Sequence, residues 1–199
     1  MKSNVCKIDN GTADLAAILA ECERVAAYNG LTHKQALHLR LLCEEMDGML
    51  PRLVENFEGE LYIDCQDGVC KINISLTIPE ISSVKKEELI GIAKNRRNAC
   101  AVGIVGKIRD ALETVFLVGS EMGALDASPI TFAPATGYSE GVDYAYLWSL
   151  DRYRSSVKEN DESERWDELE KSVIASVADD VIVGVRGKKA EIVIVKRFQ

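Results

Sequence analysis

The stretch "LRLLCEEMDGMLPRLVENFEGELYIDCQDGVCKINISL", Leu39 to Leu76, sets a helix directly in front of two strands. Its first half places Leu39, Cys43, Met46, Leu50, Leu53 and Phe57 at helical spacing, a series that starts at Ala36. The helix begins at "THKQ", a capping box in which Thr32 caps and Gln35 reaches back. Pro51 falls inside the apolar series; it removes a backbone donor and predicts a kink or a loosened turn. The second half changes period from helical to alternating. "GELYID" (59–64) and "VCKINISLTI" (69–78) read as strands, and "QDG" (66–68) between them is a tight-turn signal. The pair is antiparallel by this reading, with Leu61, Ile63, Ile72, Ile74 and Leu76 facing one core.

The rest of the chain extends the pattern. Residues 13–28 predict a helix capped by Thr12 and stopped at Asn29 and Gly30, with Leu15, Ile18, Leu19, Cys22, Val25 and Ala26 on one face. Residues 85–93 predict a short helix. Residues 102–118 predict a longer one, with Ile104, Ile108, Ala111, Leu112, Val115 and Phe116 as its buried stripe. Residues 119–163 carry four of the six tyrosines and read as an insertion or lid, strand-like near 144–150 and solvated at 158–165. A helix bearing Trp166, Leu169, Val173 and Val177 follows. A closing hairpin then alternates Val181, Val183 and Val185 with Ile192 and Ile194. Strands that arrive in hairpins make a mostly antiparallel sheet, and the helices must cover one face of it. The expected fold is an α+β two-layer sandwich, a single domain over residues 1–199.

The formal net charge of -8 works against phosphate backbones, so nucleic acid is not an expected partner. The basic run "KNRRN" (94–98) is a solvated turn or a local anion clamp. No run of eighteen apolar residues exists, which excludes a spanning helix. No signal peptide is visible, so the expected location is cytoplasmic and the six cysteines are expected as reduced thiols. Cys22 and Cys43 fall on apolar faces. Cys65 and Cys70 flank the hairpin turn, where they would bridge the strands or join a metal site. A zinc site needs about four ligands and the two histidines, His33 and His38, lie elsewhere, so no metal is expected.

The Leu39–Leu76 segment resembles the histidine-kinase-like (GHKL) ATPase domain. That group includes the anti-sigma-factor serine kinases, and the segment is also similar to a set of clostridial ATP-binding proteins. The resemblance implies a carboxylate-bearing helix that feeds a hairpin, a mobile region, and a second hairpin that ends the domain. It implies Glu45 as the catalytic carboxylate that polarises the attacking group. It implies Gly103, Gly106 and Lys107, in "VGIVGKIRD", as nucleotide-binding residues, since amides at a helix start bind phosphate. Its cofactors would be ATP and magnesium.

The chain departs from the family pattern at two places. The amide that holds magnesium belongs four residues after the glutamate; here Glu45 is followed by Met49, and Glu44 by Gly48. Asp47 leaves the helix about 160–200° around from Glu45 and is not a substitute. Where the family has Asp-x-Gly-x-Gly to grip adenine, residues 76–83 read "LTIPEISS". Two functions follow. One is a degenerate ATPase-like regulatory module that binds a protein partner, or a second copy of itself, and retains no cofactor. The other is an ATP-binding protein or serine kinase with atypical ligands. A third, independent reading is redox or metal sensing through Cys65 and Cys70. Each feature also has a plain structural reading. Glu44 and Glu45 fit a solvated helix edge, Gly48 fits close packing against the sheet, and Gly103 and Gly106 fit a helix–sheet contact.

Overall fold

The computed structural model describes residues 1–9, 14–54, 56–77, 106–109, 112, 146–159, 172–186 and 189–198. The expected elements at 85–93, most of 102–118, and 119–145 lie outside the described residues, as do "KNRRN", Cys100, Gly103 and Trp166.

The chain runs β1 (Cys6–Asp9), α1 (Leu15–Tyr28), α2 (His33–Leu53), β2 (Glu58–Gln66) and β3 (Val69–Thr77). After a helical turn at 106–109 come β4 (Tyr146–Ser149), α3 (Leu150–Glu159), α4 (Val173–Val177), β5 (Asp180–Arg186) and β6 (Lys189–Arg197). The six strands form one sheet in the order β1-β2-β3-β6-β5-β4, and every pairing is antiparallel. The fold class is α+β, as the pattern predicts.

The β2–β3 hairpin is organised by its turn. Asp67 and Gly68 have φ of 51° and 75°, the double left-handed conformation of a type I′ turn. That turn twists with the strands, and it fixes the register Cys65↔Cys70, Ile63↔Ile72, Leu61↔Ile74. Register by twos then puts Leu61, Ile63, Cys65, Cys70, Ile72, Ile74 and Leu76 on one buried face. β6 and β5 extend that face with Ile192, Ile194, Val181 and Val183.

α2 lies over this face. Thr32 accepts from the Gln35 amide and the Gln35 side chain accepts from the Thr32 amide, which completes the capping box. Its buried residues are Leu39, Leu42, Cys43, Met46, Met49, Leu50 and Leu53. α1 packs beside it through Ile18, Cys22, Val25 and Ala26. α2 runs unbroken through Pro51 to Leu53. The proline sits in the last turn with an exposed ring, where only the Asp47 carbonyl forfeits a helical donor.

β4 falls within the strand-like stretch read at 144–150 and joins the sheet edge beside β5. The structure corrects three expectations. α1 begins at Leu15 and is capped by Asp14, which accepts from the Ala17 amide; the cap is not Thr12. The edge strand β1 is not predicted: four residues with the polar Lys7 and Asp9 are too short for periodicity to register. On the second face of the sheet, Ile182 and Val195 are also buried, so burial is not confined to the α1–α2 side.

Candidate functional site

The carboxylates of α2 divide by position on the helix. Taking Met46 as the centre of the buried face, Glu45 and Asp47 flank it at about 100° to either side and Glu44 lies nearly opposite. Glu44 accepts from Arg40 Nε at 3.0 Å, and Arg40 Nη1 also meets Glu23 of α1 at 2.7 Å. These ion pairs are exposed and contribute under about 1 kcal/mol each, so they orient more than they stabilise. Glu45 is half-buried. Among the described residues it makes neither an ion pair nor a hydrogen bond, so its carboxylate is the unpaired one of the adjacent pair. Burial pushes the Asp47 carboxyl above the ordinary carboxylate range.

The next two residues reverse what their identities suggest. Gly48, expected in close packing, is exposed, and a Cβ built on it would meet nothing within 4 Å among the described residues. Met49 is only 2% exposed and belongs to the core with Leu42, Met46 and Leu50. The sequence carried a signal for this. Met49 follows Met46 by three and Leu42 by seven residues, which is one helical face.

Gly106 and Lys107 lie in the 106–109 turn, both half-buried; Gly103 lies outside the described residues. Lys107 Nζ stands 5.6 Å from the Tyr153 ring centroid on α3, and Tyr153 in turn lies 6.2 Å from the Trp148 ring of β4. Ile108 and Leu112 are buried, as their stripe predicts. The structure thus brings Lys107 to Tyr153 of α3, and it forms no ion pair between Lys107 and Glu45.

The cysteines separate into two groups. Cys65 and Cys70 are joined as a disulfide, with their Cα atoms 4.0 Å apart. This corrects the expectation of reduced thiols at these positions. The cause is local: the Asp67-Gly68 turn places the two residues directly opposite each other, with both side chains on the buried face. Their sulfurs are bound to each other rather than offered to a metal. Cys6, Cys22 and Cys43 are free. A hydrogen bond that the Cys43 thiol donates to Cys22, and then burial, push the Cys43 thiol well above its usual range, so it behaves as an inert core group.

Among the described residues, no three or more His, Cys, Asp or Glu side chains converge in a way that suits a metal ion. Among the same residues, no helix is long and apolar enough to cross a membrane. In comparisons with protein-family models, curated proteins and solved structures, nothing matches the chain.

Proposed function

We propose that this chain is a degenerate ATPase-like module with a regulatory, protein-binding role. One observation carries the reading. At the position where the resemblance calls for a magnesium-holding amide, Met49 is a core side chain. Magnesium takes hard oxygen ligands in near-octahedral geometry, and a thioether packed against Met46 and Leu50 supplies none. Its neighbour Gly48 faces solvent without a side chain. The residues present at this position do not fit the metal. The order of elements supports the ATPase-like part: a carboxylate-bearing helix, α2, leads into one hairpin and β5–β6 forms another. The excess of acidic groups favours a partner with a basic surface. A second copy of the chain is the alternative partner.

The second reading, an ATP-binding protein or serine kinase with atypical ligands, rests on Glu45. Its carboxylate is unpaired among the described residues while Glu44 is held by Arg40. Thermal unfolding with millimolar ATP and magnesium separates the two. A ligand present at a hundred times its Kd stabilises the folded state by about 2.7 kcal/mol. That corresponds to a rise of at least about 5 °C for a domain of this size. The degenerate reading expects no rise. A rise that disappears in Gly106→Trp overturns it.

A further inference from the structure

We infer that the Cys65–Cys70 disulfide is a redox-cleavable clamp on the outer end of the β2–β3 hairpin. This inference does not depend on the ATPase-like reading. Several segments meet at that end. The Cys65 amide donates to the Met1 carbonyl at 3.0 Å, and the Met1 nitrogen donates back to the Cys65 carbonyl. Two residues away, the Ser3 amide donates to the Ile63 carbonyl at 2.7 Å, and Ser3 Oγ accepts from the Ile63 amide at 2.9 Å. On the other side the Phe198 amide donates to the Gly68 carbonyl at 2.7 Å, and Cys70 pairs with Lys196 of β6. The disulfide therefore closes the end of the hairpin that holds Met1–Ser3 through β2 and Phe198 through Gly68 of the turn.

The placement makes the bond both protected and openable. Cys65 and Cys70 are each 1% exposed, so a reductant cannot reach either sulfur in the closed sheet. Yet the turn residues Gln66, Asp67 and Gly68 beside them are exposed, and few ladder bonds lie beyond them. Sheet ends of this kind open locally at far less cost than the whole fold. Once the end opens, a thiolate of an external dithiol attacks one sulfur and the Cys65–Cys70 bond breaks. The released sulfur leaves as a thiolate and takes a proton. The second thiol of the reductant then attacks the mixed disulfide, frees the other cysteine as a thiol and closes the reductant's own disulfide. Two electrons and two protons pass to the cysteines, and the dithiol is oxidised. The type I′ turn still joins the strands, but the second covalent link between them, across Cys65 and Cys70, is gone. The reduced end opens more often and loosens its hold on Met1–Ser3 and Phe198.

Amide hydrogen exchange at residue resolution, on the whole chain, tests this with dithiothreitol as the dithiol. After reduction, verified by mass, the amides of Ser3, Cys65 and Phe198 should exchange about tenfold faster or more. Those of Leu39, Leu42, Cys43 and Met46 should keep their protection. Oxidised glutathione should restore the slow rates, and a Cys65→Val, Cys70→Val double variant should behave as the reduced protein. The inference fails if exchange at the three amides is unchanged in the verified reduced protein. It fails if protection in α2 collapses as well, since that is global unfolding. It also fails if dithiothreitol cleaves the bond only in denaturant. Should the double variant not fold, the reduced wild-type protein alone decides among these outcomes.

Discussion

Gly48→Ala is the substitution on which the structure speaks most sharply. Gly48 sits inside α2, six positions from the C-terminal cap at Val54, with hydrogen-bonded turns on both sides. Its backbone is helical, so alanine meets no conformational objection, and the added Cβ enters open space. The packing change is therefore near zero. What remains is the helix propensity difference, about 0.8–1 kcal/mol in favour of alanine, because glycine loses more backbone freedom on folding. For a domain of this size that raises the Tm by about 2–4 °C. Gly59→Ala is the matched control. There a Cβ would lie 2.5 Å from the Ser75 carbonyl oxygen and 2.8 Å from Leu76, with Ile8 at 3.3 Å. β2 is pinned between β1 and β3, so the backbone must shift and stability should fall by about 1–3 kcal/mol. Urea denaturation of both variants, with unchanged m-values, reads the two signs directly. A destabilised Gly48→Ala would refute the reasoning, because it would mean that another part of the protein occupies the space beside Gly48.

Three other substitutions follow from the same geometry. Met49→Ala should cost about 2–5 kcal/mol in denaturant unfolding, the range for a fully buried methionine, whereas a solvent-facing ligand position would lose little. Asp47→Asn should raise the Tm at pH 7. Burial lifts the folded carboxyl above its unfolded value, so the ionised form weakens the fold as pH rises through that interval. The gain should fade as pH falls below about 4, where aspartate is protonated in both states. Arg154→Met should lower stability by about 1–3 kcal/mol, since Arg154 donates to the carbonyls of Ala175, Ala178 and Asp179 at the end of α4; a circular dichroism melt checks it.

The elements legible in the sequence were those whose cause is local. The capping box at Thr32 and Gln35 begins α2 where it reads, and the alternation of Leu61, Ile63, Ile72 and Ile74 puts those residues on the buried face. What could not be read depends on partners distant in sequence. β1 exists because β2 offers it an edge, through Cys6↔Leu61 and Ile8↔Gly59. β4 reads as strand-like within 144–150, and only its place at the sheet edge beside β5 depends on a distant partner. Thr12 and Asp14 are both good caps in composition, and only the chain's path selects Asp14. At the candidate site, the carboxylates of α2 were legible but the state of their neighbours was not. A glycine within a helix suggested close packing, and it faces open space. A methionine stands where the resemblance calls for an amide, and it lies in the core. The Cys65–Cys70 bond is legible in principle from the two flanking cysteines and the turn between them.

The most direct test of the central claim is titration of a fluorescent ATP analogue with magnesium into the purified protein. With Met49 held in the core, the account predicts no saturable change up to millimolar analogue, and the same flat trace for Glu45→Gln. Saturable binding that requires magnesium, and that Gly106→Trp weakens, would contradict it.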